Sequence, residues 1–265
     1  MSIQDTTHRL RVNGVSKSYG GGSERVDVLA DISADILDGE LLCIVGPSGA
    51  GKTTLLRCLT GLMPPTAGSI SLDGEQLRGP DERISIVFQD YTRSLFPWMT
   101  VSRNIELPLR ARGVQRQIRR QRVARVLDDV GLAATEKKYP WQLSGGMQQR
   151  VAIARALVTE PEVLVMDEPF ASVDAQTRLE LEDLTLTLKR DQGVTVVVVT
   201  HDIDEAVYMS DRIVVLSKNP ATVQEIVSTD FGPDRNQFET REDPRFGELR
   251  SHILALIRTA QLKVT

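Results

Sequence analysis

Residues 46–53 read Gly-Pro-Ser-Gly-Ala-Gly-Lys-Thr, which matches the pattern G-x-x-x-x-G-K-[ST]. The pattern follows a short apolar run, residues 41–45, and opens a segment of helical character, residues 51–62. Glycines in such a turn let backbone N–H groups surround phosphate oxygens, and the helix N-terminus adds partial positive charge. Because this context disfavours a glycine-rich turn that binds nothing, we predict a phosphate-binding loop (P-loop).

The side chains of this loop point to a nucleoside triphosphate bound together with Mg²⁺. Lys52 supplies a positive charge for the β- and γ-phosphates, and the Thr53 hydroxyl is a ligand for Mg²⁺. The residues of the loop and helix start predicted to bind the nucleotide are Gly46, Pro47, Ser48, Gly49, Ala50, Gly51, Lys52, Thr53 and Thr54.

Composition limits the kind of protein that carries this loop. The chain has 265 residues, which corresponds to one large domain or two small ones at about 150 residues each. Its 41% hydrophobic and 26% charged residues exclude a disordered chain, a collagen and a coiled-coil rod. The net charge of −4 argues against general nucleic-acid binding. Cys43 and Cys58 are interpreted as small buried apolar residues, although the sequence leaves a disulfide between them open.

Short apolar segments alternate with helical ones along much of the chain. Runs of Val, Ile and Leu at successive positions are typical of strands buried on both faces of a parallel sheet. The predicted strands are residues 10–15, 41–45, 84–88, 163–167 and 194–200. Residues 175–190 are a predicted helix, because Leu181, Leu184 and Leu188 share one face and Asp174 is placed to cap it. The alternation predicts an α/β fold.

A helical segment interrupts this pattern. Residues 91–160 contain no run typical of a strand, and helices are predicted over residues 115–131 and from near Ser144 to before Pro161. We therefore expect a single domain with an α/β core, a helical insert and a short C-terminal extension. The expected boundaries are 1–90 and 161–217 for the core, 91–160 for the insert and 218–265 for the extension.

The extension has its own pattern. It contains a strand-like piece, residues 222–228, and a final helix that begins at Pro244 after a capping Asp243. The sequence leaves open whether this extension is regulatory or simply a packed end.

Two carboxylates stand at the end of a predicted buried strand. Asp167 closes the run 163–167 and Glu168 follows it. A P-loop protein needs an Asp at a strand end to hold Mg²⁺, and the next carboxylate is placed to deprotonate a water aimed at the γ-phosphate. A helix cap or a solvated strand end is the alternative, and the P-loop upstream disfavours it.

Residues 143–150 read Leu-Ser-Gly-Gly-Met-Gln-Gln-Arg. Ser144 can cap the following helix, and Gly145 and Gly146 leave its first N–H groups accessible, which makes a second anion site. With the P-loop, this segment strongly resembles the LSGGQ-like signature of the ATP-binding subunits of ABC transporters, with Met147 at the fifth position. The resemblance covers roughly residues 10–216 and implies the P-loop NTPase fold of an ABC ATPase cassette.

The resemblance also assigns roles to isolated residues. Gln89 matches the Q-loop glutamine, which contacts Mg²⁺ or the attacking water. Asp174, in Ser-Val-Asp at residues 172–174, matches the D-loop, which contributes to ATP binding. His201 matches the switch histidine that contacts the γ-phosphate, and Tyr19 matches the aromatic that stacks on adenine.

In the family, two subunits dimerise head to tail, and each ATP lies between the P-loop of one and the signature of the other. The resemblance therefore implies a competent ATPase whose catalytic residues are Glu168, His201 and Gln89. Thr53, Gln89 and Asp167 are the implied Mg²⁺ ligands. A second copy of the chain contributes Ser144, Gly145 and Gly146 to each ATP site.

The segment after Gln89 narrows the resemblance to one group within the family. Phe96-Pro97-Trp98-Met99-Thr100-Val101 resembles the LLPW-x-TV pattern of importers for nitrate, sulfonate, taurine and bicarbonate. The expected function is therefore ATP-driven uptake of a small solute through separate membrane subunits. The expected partners are integral membrane permease subunits and, indirectly, a solute-binding protein. The expected location is peripheral, at the cytoplasmic face of the inner membrane, and no nucleic-acid partner is expected.

A soluble non-transport ABC ATPase that acts on nucleic acid or protein complexes is the alternative. Chromosome-maintenance members insert a long coiled coil between P-loop and signature, whereas here Ser144 follows Lys52 by 92 residues without a heptad run. Two features stay open. Phe96 and Trp98 either dock a permease helix or fill the insert's own core. The eight arginines between residues 103 and 125 form either a lipid-facing patch or a solvated helical face.

Overall fold

The computed structural model describes residues 8–90 and 94–262. Residues 91–93, where the helical insert is predicted to begin, lie outside the described residues, as do the first seven and last three positions. One of its two sheets is antiparallel and has four strands in the order β2-β1-β4-β5. Its strands are β1 (His8–Tyr19), β2 (Val26–Leu37), β4 (Ala67–Leu72) and β5 (Glu75–Gln76).

The second sheet carries the candidate site. Its strands are β3 (Leu41–Val45), β6 (Ile84–Val87), β7 (Val163–Asp167), β8 (Thr195–Val199), β9 (Arg212–Leu216) and β10 (Val223–Ser228). They lie in the order β10-β9-β3-β8-β7-β6, with every neighbouring pair parallel except β10 and β9. Every residue of β3, β7 and β8 is buried, as expected for parallel strands covered on both faces. The predicted α/β fold is confirmed.

The described helices pack around this sheet and extend from it. They are α1 (Lys52–Leu59), α2 (Val101–Ala111), α3 (Arg116–Asp129), α4 (Gly145–Leu157), α5 (Ala175–Gln192), α6 (Ile203–Met209), α7 (Glu239–Glu242) and α8 (Pro244–Leu262). In the described ranges, no helix is long and apolar enough to cross a membrane. Cys43 and Cys58 are both buried and unpaired, so the disulfide is excluded.

The helical insert contains one helix that the sequence reading did not predict. Helix α2 begins at Val101 after Thr100, whose side chain accepts a hydrogen bond from the Arg103 N–H. Its Pro108 lies inside the helix, a position that normally argues against helix. Apolar packing overrides that signal, because Val101, Ile105 and Leu109 are all fully buried on one face.

The C-terminal extension is packed onto the core. Strand β10 pairs with β9, and α8 packs against α6 and β9. The predicted strand at residues 222–228 and the predicted helix from Pro244 are both confirmed. The extension thus lies directly behind the strand and helix that follow His201.

Candidate functional site

The P-loop connects β3 to α1, and its glycines are required by close packing. Gly51 has φ 78°, and a Cβ there would lie 2.7 Å from Val28 Cγ1. A Cβ on Gly46 would lie 3.0 Å from the carbonyl oxygen of Leu216. Larger residues at either position would push the loop away from β2 or β9, so glycine keeps the backbone close to these strands.

Lys52 is buried within the loop. Its Nζ donates to the carbonyl oxygens of Gly46 at 2.9 Å and Pro47 at 3.2 Å. Burial lowers the pKa of Lys52, and the nearby charges of Glu168 and Asp167 oppose that change. The ammonium is therefore held at the loop by its own carbonyls and is available to an anion inside the loop.

Asp167 and Glu168 lie at the carboxyl end of β7, facing the P-loop. Burial raises the pKa of Asp167, as does Glu168, whereas a hydrogen bond from the Thr53 hydroxyl lowers it. A buried carboxylate beside a hydroxyl is the oxygen donor set that Mg²⁺ prefers. No group of three His, Cys, Asp or Glu that could hold a metal ion occurs in residues 8–90 and 94–262. A cation here would therefore also need a non-acidic ligand such as the Gln89 amide oxygen.

Glu168 lies where the carboxyl ends of β6, β7 and β8 meet. Its φ of 43° is unusual for a residue with a side chain, and its N–H donates to the Val199 carbonyl oxygen at 2.7 Å. Gln89 Nε2, from beyond β6, donates to Glu168 Oε2 at 2.7 Å. His201 Nδ1, from beyond β8, lies 3.3 Å from the same oxygen. Because β6, β7 and β8 are adjacent and parallel, their carboxyl ends bring all three predicted catalytic residues together.

Glu168 and His201 border an open cavity of about 650 Å³. Its walls are Val28, the loop residues 48–54, Glu168 and His201. Helix α1 starts at its floor, so the N–H groups of the first turn add to those of the loop. The cavity thus combines a cation, a cluster of backbone donors and a carboxylate, a combination that suits a phosphate chain next to a general base.

Tyr19 lies at the end of β1, close to this cavity. It is 40% exposed, and its hydroxyl lies 3.4 Å from Thr54 Oγ1 and 3.2 Å from Met63 Sδ. The ring therefore stands next to the first turn of α1 with one face accessible. That placement agrees with a base-stacking role, which stays a prediction.

The signature lies elsewhere. Ser144 caps α4, since its side chain accepts a hydrogen bond from the Met147 N–H as the sequence predicts. Asp174 caps α5 and accepts hydrogen bonds from Thr177 N at 3.0 Å and Thr177 Oγ1 at 2.7 Å. A Cβ on Gly146 would lie 2.3 Å from Thr177 Cγ2, so the two helix starts are tightly packed together.

None of Ser144, Gly145, Gly146 and Asp174 is among the described residues that line the cavity. The two predicted anion-binding surfaces are therefore separate features of the chain. The P-loop surface contains Glu168, the predicted catalytic carboxylate, and the signature surface contains the start of α4.

Sequence reasoning missed the residues that brace His201. Asp202 Oδ1 accepts hydrogen bonds from the N–H groups of Asp204 and Glu205 and so caps α6. Its other oxygen accepts a hydrogen bond from Arg178 Nη1 on α5 at 3.0 Å. The cap at Asp202 has a local sequence signal, an Asp before an apolar helix. The pairing with Arg178 has none, because it depends on how α5 packs against α6.

Glu205, on α6 behind His201, gives the fold a pH dependence that can be measured. Burial raises the pKa of Glu205 from 4.5 to about 8, and the charges of Glu182 and Asp202 add to this increase. Arg178 opposes the increase only in part. Between pH 4.5 and about 8, the folded protein keeps this proton whereas the unfolded chain loses it. The free energy of unfolding therefore declines as the pH rises through this range. Between about pH 6 and about pH 9, the melting temperature should fall by several degrees more in the wild type than in Glu205→Gln.

Thermal unfolding followed by circular dichroism across that range measures the difference. Glu248→Gln, an exposed glutamate on α8, is the matched control and should melt like the wild type at every pH. Parallel pH curves for wild type and Glu205→Gln would contradict the assignment.

Comparison with known proteins agrees with this geometry. The profile of the ABC transporter family matches residues 29–171. An uncharacterized ABC transporter ATP-binding protein of Methanocaldococcus jannaschii is 43% identical over 96% of this chain and 93% of its own length. The aliphatic sulfonates import ATP-binding protein SsuB of Bacillus licheniformis is 40% identical over 95% of this chain and 94% of its own length. The taurine import ATP-binding protein TauB of Yersinia pseudotuberculosis is 40% identical over 94% of this chain and 96% of its own length.

A solved structure with bound ADP and Pi has a fold similar to that of this chain. It is the dimeric structure of a post-hydrolysis state of the ATP-binding cassette MJ0796 bound to ADP and Pi. It superposes with a TM-score of 0.71 at 34% identity and covers 83% of this chain and 98% of that one. The P-loop cavity, the carboxylates beside it and the similarity along nearly the whole chain lead to one conclusion: this protein belongs to the ABC transporter family and is one of its ATP-binding cassette ATPases.

Proposed function

We propose that this chain is the ATP-hydrolysing subunit of an importer that takes up a small anion, such as a sulfonate, nitrate or bicarbonate. The observation that carries the ATPase part is the meeting of Gln89, Glu168 and His201 beside the P-loop. The import part is supported by the identity of about 40% to sulfonate and taurine import proteins over nearly the entire chain. Among these anions, the similarity favours an organic sulfonate.

The chain's own groups account for hydrolysis. The P-loop N–H groups and Lys52 bind the β- and γ-phosphates and stabilise the charge of a loose transition state. Glu168 accepts the proton of the attacking water, while the Gln89 amide holds the carboxylate in place. His201, beside the same carboxylate oxygen, contacts the γ-phosphate. Tyr19 stacks on the adenine.

The residues present fit a Mg²⁺ ion. Thr53, Asp167 and Gln89 would hold it, because they offer a hydroxyl, a buried carboxylate and an amide oxygen near the phosphates. A bound Mg²⁺ would supply charge neutralisation for the phosphate oxygens. It would also offset the burial that raises the pKa of the Asp167 carboxyl.

The site is completed by a second copy. Ser144, Gly145 and Gly146 of the partner copy bind the γ-phosphate that the P-loop holds, and Asp174 lines the same junction. The separation of the signature from the cavity within one chain is what supports this arrangement. Dimer closure around two ATP molecules, and opening after hydrolysis, then drives the membrane subunits.

The membrane subunit docks beside the loop 96–100. Trp98 is 68% exposed, so it does not fill the insert's own core, and its ring packs 5.3 Å from that of Phe96. Buried Asn104 fixes this loop. Its Nδ2 donates to the carbonyl oxygens of Phe96, Met99 and Thr100, each at 3.1 Å, and its Oδ1 accepts from the Phe96 N–H. A rigid loop with an exposed tryptophan suits a groove for a helix of the permease.

Trp98→Ala should uncouple hydrolysis from transport. Removing an exposed anchor should lower solute uptake by about tenfold or more while the ATPase rate and melting temperature of the isolated protein stay unchanged. Uptake and ATPase rates in proteoliposomes of the reconstituted transporter measure this. Phe238→Ala, an equally exposed aromatic on the extension, is the control and should leave uptake intact. Normal uptake in Trp98→Ala would remove the docking role.

The arginine-rich helices do not require a lipid role. Arg119 pairs with Glu106 at 2.6 Å, and Arg122 pairs with Glu160 at 2.7 Å. Arg112 lies 3.8 Å from a carboxylate oxygen of Glu82. These pairs favour the interpretation of a solvated helical face.

The proposal is tested by what the protein binds in native membranes. Tagged Glu168→Gln is recovered in mild detergent with Mg-ATP, and the proteins that accompany it are identified by mass spectrometry. We expect a multi-span permease in about equal amount, and much less of it when Trp98→Ala is added. Recovery of soluble proteins or nucleic acid with no permease would favour the non-transport alternative and contradict import.

A further inference from the structure

The C-terminal extension inserts two polar side chains between α5 and α6. Gln237 Nε2 donates to the Leu179 carbonyl oxygen at 3.2 Å, to Glu182 Oε2 at 3.0 Å and to Asp183 Oδ1 at 2.9 Å. Arg241 Nη2 donates to the same Glu182 oxygen at 2.9 Å, and its Nε donates to Gln237 Oε1. These contacts join α7 and the loop before it to the middle of α5.

The carboxylate that they reach is almost entirely enclosed. Glu182 is 1% exposed, and Arg241 forms an ion pair with it at 2.9 Å. The Arg241 guanidinium also lies 5.1 Å from the ring of Tyr208 on α6 and 5.6 Å from that of Phe246 on α8. The Tyr208 hydroxyl donates to Asp183 Oδ1 at 2.6 Å. Arg241 therefore contacts α5, α6 and α8 at once.

The same place holds a further buried acidic side chain. Glu205 on α6 is 4% exposed, and its Oε1 has no hydrogen-bond partner among the described residues. Asp202 and Glu182 both act on it electrostatically, and Arg178 opposes them. Burying several carboxylates together is costly unless cations compensate them. Arg241 is the compensating cation that comes from the extension.

Both helices joined by Arg241 begin next to predicted site residues. Helix α5 begins directly after Asp174, and α6 begins two residues after His201. The Arg178–Asp202 ion pair ties these two helix starts together at 3.0 Å. A change in the separation of α5 and α6 would therefore move His201 relative to Glu168.

We propose that the C-terminal extension holds the switch histidine in its working position, with Gln237 and Arg241 as positioning residues for ATP hydrolysis. Arg241 draws α5 and α6 together through Glu182 and Tyr208, and this fixes the loop that carries His201. Neither residue contacts the cavity, so they act on the rate of the chemical step and not on nucleotide binding. The inference rests on the proposed role of His201.

The test compares Arg241→Met with Arg245→Met. Both lose one cation of the extension, but Arg245 is exposed and its polar and ring contacts with the described residues stay within the extension. They are Asp243 at 2.7 Å, the Asp230 carbonyl oxygen at 3.4 Å and the Phe231 ring at 5.1 Å. For Arg241→Met we expect kcat to fall between about tenfold and about a hundredfold, with the Kd for ATP within about twofold. For Arg245→Met, kcat and Kd should equal those of the wild type.

A second readout follows His201 itself. The chain has three histidines, His8, His201 and His252, so imidazole signals in a proton NMR spectrum can be assigned by substitution. Arg241→Met should shift the His201 signal and leave those of the other two in place. If Arg241→Met folds poorly, Glu182→Gln/Arg241→Met removes both charges of the ion pair and keeps the Gln237 contact, and it should show the same loss of kcat.

The outcomes separate this inference from the proposed function. Wild-type kcat and an unmoved His201 signal in a folded Arg241 variant, together with a large loss of kcat in His201→Ala, would overturn the inference and leave the proposed function standing. A lower melting temperature alone, with wild-type kcat, would make the extension a packed end and would also overturn it. If His201→Ala keeps full turnover, the assigned role of His201 fails, and with it the kcat arm of the inference.

Discussion

Replacing Glu168 by Gln is expected to lower steady-state ATP hydrolysis by about a hundredfold to ten-thousandfold, the usual contribution of a general base. ATP affinity should remain near that of the wild type, because Lys52 and the loop N–H groups are untouched. The glutamine keeps the size of the side chain and one acceptor oxygen for the Gln89 amide. What it loses is the ability to take a proton from water.

Single-turnover and steady-state phosphate release measure this effect, and equilibrium binding of a fluorescent ATP analogue measures affinity. Glu248→Gln, exposed on α8, is the charge-matched control and should hydrolyse ATP at the wild-type rate. Retained hydrolysis in Glu168→Gln would contradict the role of Glu168 as general base. His201, which lies 3.3 Å away, would then be the next candidate for that role.

The second large effect is expected from Lys52→Ala, which should weaken ATP binding by about tenfold to about a hundredfold. The substitution removes a charge-assisted contact to phosphate. It also leaves the Gly46 and Pro47 carbonyl oxygens without the donor that they have now. Both consequences act on the P-loop, so turnover should fall together with affinity.

Two controls separate the loss of charge and hydrogen bonding from the loss of side-chain volume and from the loss of any one lysine. Lys52→Met keeps most of the side-chain volume and should lose affinity nearly as much, because charge and hydrogen bonding matter more than packing there. Lys137→Ala, an exposed lysine of the helical insert, should bind ATP like the wild type. Unchanged affinity and rate in Lys52→Ala would rule out the P-loop as the nucleotide site.

Most of the parallel strands could be predicted because burial on both faces leaves a clear signal, although β9, which is parallel to β3, was missed. The prediction at residues 41–45 matches β3 completely, and those at 163–167 and 194–200 match β7 and β8 within one residue at each end. Strand β2 was missed, because three aspartates interrupt its apolar residues where one face of the antiparallel sheet is solvated. Helix α2 was missed because Pro108 is a local signal against helix that packing overrides.

In the candidate site, too, some residues could be predicted from the sequence and some contacts could not. Lys52, Asp167 and Glu168 could be predicted, because each belongs to a short motif beside a strand. The contacts of Glu182 with Gln237 and Arg241 could not, because they join positions more than fifty residues apart. Such pairs depend on how an extension docks, which no local periodicity encodes. The role of the extension therefore stayed open in the sequence and became arguable only from the contacts.

The proposed function requires that ATP is bound between the P-loop of one chain and the signature of another. The most direct test is the mass of Glu168→Gln in solution, measured by light scattering with and without Mg-ATP. We expect the mass of one chain without nucleotide and twice that mass with Mg-ATP. Adding Ser144→Arg, which fills the start of α4, should abolish the doubling while the P-loop still binds ATP. A mass that stays at one chain with Mg-ATP, or doubles despite Ser144→Arg, would contradict the shared site.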